Sequence, residues 1–281
     1  MARQILFSAS ELRSIQGSSD CVIFDCRFDL KDTRAGFNAY LKAHIPGAVY
    51  ANLDDDLASA VTLTSGRHPL PGADLFASFL ARSGWCPGKI LVAYDNAGGS
   101  IAARLWWLMK YFGHDCGALL DGGINAWSEA GFELESGQAD ISVQPTISLR
   151  ANDELTSSTS NIVEALGTGD IVLIDARAAE RFAGQIEPID SVAGHIPGAV
   201  NYPCASNLAA SNCFLPVKKL REKFQKLARY HDGRDMVHMC GSGVTACSNI
   251  FAAELAGVAG SKLYAGSWSE WIRDPSRPIG P

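Results

Sequence analysis

One thiol stands where chemistry is easy to build. Cys240 opens the run Cys240-Gly241-Ser242-Gly243-Val244-Thr245, between Asp235-Met236-Val237-His238-Met239 and a helix-like run from Ala246 to Leu255. The first flank predicts a short buried strand, so the cysteine lies at a strand end, on a Gly-rich loop that leads into a helix. Backbone N–H groups in such a loop can turn inward as an anion cradle, and the helix dipole adds partial positive charge. Both effects favour the thiolate, which is the nucleophile. Gly241 and Gly243 accept positive φ without steric cost, which lets a tight loop aim several amides one way. A buried structural cysteine is the commoner fate of a lone thiol. The glycine spacing argues for catalysis instead.

The elements that must position this loop occur twice. Val22-Ile23-Phe24-Asp25-Cys26-Arg27 precedes His44-Ile45-Pro46-Gly47-Ala48-Val49, and Val172-Leu173-Ile174-Asp175-Ala176-Arg177 precedes His195-Ile196-Pro197-Gly198-Ala199-Val200. Next, Lys89-Ile90-Leu91-Val92-Ala93-Tyr94 leads to Asp95 as the 235–239 strand leads to Cys240. Asp121-Gly122-Gly123-Ile124-Asn125-Ala126-Trp127 and Ala265-Gly266-Ser267-Trp268-Ser269-Glu270-Trp271 close the two halves. Four pairs in one order indicate two copies of one domain. Runs of Val, Ile and Leu alternate with helical patterns such as 101–109, which predicts α/β units on a mainly parallel sheet flanked by helices. In such sheets ligands gather beyond the carboxyl ends of the strands, where Cys240 falls. The polar stretch 135–140, with Pro145 beyond it, predicts domains at 1–135 and 148–281 with a linker over 136–147.

The internal copy acts as a control. Asp95 stands where the second copy has Cys240, and an aspartate offers no thiolate nucleophile, so the first copy is expected to be catalytically silent. His44 and His195, and Asp25, Arg27, Asp175 and Arg177, occur in both copies and are therefore expected to serve the fold.

Composition narrows the rest. The 281 residues are 47% hydrophobic and 19% charged with a net charge of −6, enough for two cored domains and without the basic footprint of a nucleic-acid binder. The Lys218–Lys223 cluster is interrupted by Leu220 and Glu222 and reads as a solvated helix face. The opening stretch 1–8 is too short an apolar run for a signal peptide, and no run approaches a membrane span, so no membrane partner is expected. The eight cysteines form no C-x-x-C pair and no zinc-like spacing, so no metal site is expected. Free thiols in a reducing, cytoplasmic setting are the expectation.

The loop and the duplication together resemble the two-domain rhodanese-like sulfurtransferases, and Cys240-Gly241-Ser242-Gly243-Val244-Thr245 is similar to the active-site loop of the 3-mercaptopyruvate sulfurtransferases. The resemblance covers nearly the whole chain. It implies two tandem rhodanese-like domains, a Cys240 persulfide intermediate, a small-molecule sulfur donor, and a thiol acceptor such as thioredoxin or glutathione, or cyanide. It calls for no cofactor. It also implies that Arg181 binds the anionic donor, through a guanidinium fork suited to a carboxylate. The loop amides of Gly241, Gly243, Val244 and Thr245 would hold the sulfur anion. Ser242, Asp54 and His68 match residues proposed to assist catalysis in that family. Members also tend to carry a second arginine shortly after the first, but 185–194 has none; Arg67, beside His68, is the candidate to replace it.

Three rivals are weighed against this. Thiosulfate sulfurtransferase differs only in its donor. A non-catalytic rhodanese-like binding module usually lacks the cysteine, as the first copy does. A cysteine phosphatase on the related fold needs Cys-x5-Arg, whereas Ala246 occupies that place and no arginine occurs between 235 and 272.

Overall fold

A computed structural model describes residues 4–230 and 232–280. Met1, Ala2 and Arg3, the start of the stretch weighed above as a signal peptide, lie outside them. The chain divides into two compact units, Met1–Ser59 with Leu70–Asn152 and Ala210–Phe214, and Ala60–Pro69 with Asp153–Ala209 and Leu215–Pro281. Among the described residues no helix is long and apolar enough to cross a membrane.

The first unit alternates strand and helix: β1 (Leu6–Phe7), α1 (Ala9–Ile15), β2 (Cys21–Asp25), α2 (Ala35–Lys42) and β3 (Val49–Tyr50). It continues through α3 (Ala73–Arg82), β4 (Ile90–Tyr94), α4 (Ala102–Tyr111), β5 (Gly117–Leu120) and α5 (Gly123–Glu129). The strands pair in parallel in the order β1-β5-β4-β2-β3. Buried on both faces, β2 and β4 read as continuous apolar runs, as central parallel strands must. One face packs on Leu12, Ile45, Ile124 and Trp127. The stretch expected as a linker is tied to this unit: Gly137 N–H donates to Leu41 O, Ala139 N–H to Tyr40 Oη and Gln144 N–H to Ala81 O.

The second unit holds α6 (Thr159–Thr168), β6 (Ile171–Asp175), α7 (Ala179–Phe182), β7 (Val200–Asn201) and α8 (Val217–Tyr230). It ends with β8 (Asp235–Met239), α9 (Thr245–Leu255), β9 (Lys262–Leu263) and α10 (Ser267–Trp271). Its sheet is parallel, in the order β7-β6-β8-β9. The repeat reaches the helix caps. Ser8 and Glu11 form a capping box at α1, and Ser158 and Asn161 form the same box at α6. Helix α9 is buried on every side from Ala246 to Ala253, and its alanines allow neighbours to approach closely. Within β8, His238 is fully buried with Nε2 3.2 Å from Ser261 Oγ; burial pushes its pKa down to about 3, so it stays neutral in the strand.

The matched histidines have matched duties. His44 stacks on Tyr40 at 4.2 Å with Nδ1 at 2.8 Å from Tyr40 O, and His195 stacks on Phe182 at 3.9 Å with Nδ1 at 2.8 Å from Phe182 O. Each also bridges, backbone to backbone, the end of its own repeat, at Glu135 and at Gly280. The aspartate–arginine pairs are equally matched. Arg27 grips Asp25 and the carbonyl of Ala43; Arg177 grips Asp175 and the carbonyl of Gly194.

Candidate active site

Register sets the site. Asp175 pairs with Met239 across β6 and β8, and Ala176 N–H donates to Met239 O at 2.8 Å, so the loops after both strands leave side by side. Cys240, the next residue of the β8 chain, is 2% exposed. The start of α10 fixes its backbone: Trp268 N–H donates to Cys240 O at 3.1 Å and Ser269 N–H to Gly241 O at 2.9 Å. Gly243 has φ +76, and a Cβ there would lie 2.4 Å from Ala265 O, so this turn requires glycine. Beyond it, Cys247 Sγ donates to Gly243 O at 3.3 Å, which makes Cys247 a buried support of the loop.

The two copies of the loop use their amides differently. In the first unit, buried Asp95 fills the cradle with its own carboxylate. Oδ1 accepts from Ala97 and Gly99 N–H at 2.8 and 2.9 Å, and Oδ2 from Ile101 and Ala102 N–H at 2.8 and 2.9 Å. In the second unit the N–H groups of Gly241, Ser242, Val244 and Thr245 donate to no acceptor among the described residues. The first copy thus fills its cradle with its own carboxylate, whereas these four donors of the second, in the loop that a thiol opens, have no acceptor among the described residues. Asp95→Ala is expected to destabilise the first unit by about 3 kcal/mol or more, since it strands four inward N–H groups. Denaturant melts with separate probes for each unit check this; a loss under about 1 kcal/mol would count against the built-in anion.

Ser267 has no equal in the first copy. Its φ is +54, a left-handed conformation that side chains avoid, and the matching residue is Gly123 at φ +59. In return, Ser267 Oγ accepts the Cys240 N–H at 3.1 Å and donates to Tyr264 O at 2.8 Å. The serine therefore holds the cysteine amide at the cost of backbone strain of about 1 kcal/mol. Ser267→Gly should leave the unfolding midpoint nearly unchanged, because relief of strain offsets lost hydrogen bonds, yet lower kcat by about tenfold through a loosened thiol. Unaltered kcat would rule out that positioning role.

Two cations face the loop. A Cβ on Gly241 would lie 3.1 Å from Arg67 Nη2 and 3.6 Å from Arg181 Nη1 and Nη2. Arg181 belongs to the one-turn helix α7, anchored through Phe182 O by His195. Arg67 lies in the 60–69 stretch that packs within the second unit: its N–H donates to Ser269 Oγ at 3.0 Å. Gly66 before it comes so close to the 266 backbone that a Cβ would sit 2.5 Å from Gly266 O. The next residue, His68, is 2% exposed, with Nδ1 2.7 Å from Ser242 Oγ. Consecutive residues 67 and 68 thus meet consecutive residues 241 and 242.

Two carboxylates complete the arrangement, and sequence reading missed both. Glu187 accepts from Arg181 Nε at 3.1 and 3.2 Å and from Nη2 at 2.7 Å. Asp190 accepts from Arg181 Nη2 at 3.1 Å through Oδ2 and from Arg67 Nη1 through Oδ1. Burial alone would raise Glu187, but the Arg181 hydrogen bonds and the N–H groups of Asp190 and Ile189 outweigh it and hold this carboxyl below its usual range. The available signal was their position, two acids six and nine residues after Arg181, in the 185–194 stretch that lacks a second arginine.

Of the residues singled out from the sequence, Cys240, Gly241, Ser242, Gly243, Val244, Thr245, Arg181, Arg67 and His68 all belong to the second unit. Asp54 belongs to the first. It sits in a turn where Asn52 Oδ1 accepts its N–H at 2.8 Å and that of Asp55 at 3.3 Å.

Comparison with known proteins agrees with this architecture. The rhodanese-like domain profile matches residues 8–130 and again 158–274. A Pseudomonas aeruginosa protein named "Probable 3-mercaptopyruvate sulfurtransferase" is 42% identical over 286 residues, covering 99% of both chains. A Mycobacterium tuberculosis protein named "Putative thiosulfate sulfurtransferase SseB" is 38% identical over 278 residues, covering 99% of this chain and 97% of that one. Among solved structures, 3-mercaptopyruvate sulfurtransferase from Leishmania major superposes with a TM-score of 0.84 at 30% identity, covering 97% of this chain and 76% of its own. Two matched loops, one closed by its own carboxylate and one presenting a thiol, sit on two copies of one parallel-sheet fold, and the chain belongs to the rhodanese-like family as a pair of tandem rhodanese-like domains.

Proposed function

We propose that this chain is a sulfurtransferase that moves sulfane sulfur from 3-mercaptopyruvate to a thiol or to cyanide through a persulfide on Cys240, releasing pyruvate. The observation that carries the reading is Cys240 at a strand end, opening a loop in which the N–H groups of Gly241, Ser242, Val244 and Thr245 have no acceptor among the described residues, with the guanidiniums of Arg67 and Arg181 against Gly241. The names of the Pseudomonas and Leishmania relatives support it.

Arg67 Nη2 and Arg181 Nη1 receive the donor carboxylate, turning its sulfur toward the thiolate. The Cys240 thiolate attacks that sulfur, an S–S bond forms, and the C3–S bond breaks. Its electron pair leaves on carbon as the enolate of pyruvate, and a proton delivered to C3 completes pyruvate. In this reading Ser242 relays that proton, and its hydrogen bond to His68 supports the role. The amides of Gly241 to Thr245 stabilise the charge on sulfur. An acceptor thiolate then attacks the outer sulfur and leaves as its persulfide, restoring the Cys240 thiolate; cyanide leaves as thiocyanate. Thioredoxin or glutathione in a reducing cytoplasm fits the acceptor step. Asp54 is assigned an assisting role by resemblance alone.

Neutral Gly241 and Ser242 argue for a monocarboxylate donor rather than thiosulfate, and a larger residue at 241 would press on Arg67. The test is kcat/KM for the two donors with one acceptor. Preference for 3-mercaptopyruvate is expected; preference for thiosulfate would make the protein a thiosulfate sulfurtransferase.

A further inference from the structure

Asp190 is the carboxylate that both donor-binding cations share. One oxygen takes Arg181 Nη2 and the other takes Arg67 Nη1, so residues 114 positions apart are clamped side by side. Its side chain is 4% exposed, as is that of Glu187, which takes the other edge of Arg181. Glu187 also stands 3.4 Å from Arg177 Nη1, and Arg177 is paired with Asp175 at 2.7 Å. The network therefore opposes the guanidiniums of 67, 177 and 181 to the carboxylates of 175, 187 and 190, with a formal charge of zero. These carboxylates leave Arg67 Nη2 and Arg181 Nη1 turned toward Gly241, and Arg67 Nε is buried without a partner among the described residues.

We propose that Asp190, assisted by Glu187, determines donor specificity by charge: it holds both guanidiniums in a neutral cluster that accepts one added negative charge and disfavours two. A dianion such as thiosulfate would bring the cluster to −2, whereas a monocarboxylate brings it only to −1. Beside carboxylates only 4% exposed, the cost of the second charge is only partly screened by water. Two arginines alone would select poorly between such anions; the carboxylates behind them supply the discrimination. This inference rests on the sulfurtransferase reading above and adds to it the class of donor that the same site rejects.

Asp190→Asn keeps the shape and one acceptor oxygen while removing a charge. The expected result is a shift of the thiosulfate to 3-mercaptopyruvate ratio of kcat/KM by roughly tenfold or more toward thiosulfate. Glu187→Gln, which leaves the Arg67 contact in place, should shift it the same way. A readout without turnover is protection of Cys240 from iodoacetamide by sulfate compared with pyruvate; sulfate should gain in both variants. A ratio that stays constant while both activities fall together would reduce Asp190 to a structural clamp and overturn the proposal, as would a shift toward 3-mercaptopyruvate. Should Asp190→Asn fail to fold, the ratio and the sulfate protection in Glu187→Gln decide alone. The wild-type ratio tests the donor assignment, and the change between wild type and variant tests the role of Asp190, so the two fail separately.

Discussion

Cys240→Ser is expected to lower sulfur transfer from either donor by at least about 10³-fold, because a serine hydroxyl neither ionises readily nor carries a sulfane sulfur. The protein should remain folded. The serine side chain is slightly smaller, and the backbone of residue 240 is held from outside by Ser267 Oγ and the N–H of Trp268. Cys247→Ser is the matched control. That thiol makes its own bond to Gly243 O, so its replacement should change activity by only a fewfold. Comparable losses in the two variants would remove the case for a single nucleophile. Thiocyanate formation from either donor, followed with equal amounts of folded protein, provides the measurement.

The second large effect concerns the cations. Arg181→Ala should reduce kcat/KM for 3-mercaptopyruvate by roughly 10- to 100-fold, since a charge-assisted contact to a carboxylate is worth about 1.5–3 kcal/mol. Most of the loss should appear in KM, because the arginine holds the carboxylate in ground and transition states alike. Arg67→Ala should act in the same direction. Because both side chains end on Asp190, the double variant should lose less than the product of the single losses. A KM for 3-mercaptopyruvate left unchanged in both single variants would detach these guanidiniums from the donor. Lysine at 181 should restore only part of the activity, since an ammonium lacks the planar fork that binds Glu187 and the donor together.

The duplication made the fold legible in the sequence. Matched pairs such as Asp25–Arg27 with Asp175–Arg177, and His44 with His195, could be assigned to the fold because the copy with Asp95 has them too. Their contacts are alike in both units. The Cys240 loop was legible through Gly243, which takes positive φ against Ala265 O; Gly241, read the same way, does not take positive φ. Glu187 and Asp190 were hidden for a physical reason. Acidic residues in a loop with Pro188 have the composition of a solvated turn, and only the fold returns them onto Arg181. His68 was placed by resemblance, and Arg67 only by standing beside it. Nothing local in Ser65-Gly66-Arg67-His68-Pro69 says that the stretch packs in the second unit, because long-range placement depends on contacts at Gly266 and Ser269, some 200 residues away. Ser267 is the converse case. A serine reads as ordinary at that position, and its left-handed backbone became visible only beside Gly123 in the other copy.

The most direct test is the mass of the protein after one equivalent of 3-mercaptopyruvate is added without an acceptor. The chain should gain the mass of a single sulfur atom, fragment analysis should locate it on the peptide carrying Cys240, and a thiol or cyanide should remove it. No gain in mass, or sulfur on Cys204, Cys213 or Cys247 in place of Cys240, would contradict the assignment of Cys240 as the residue that carries the transferred sulfur.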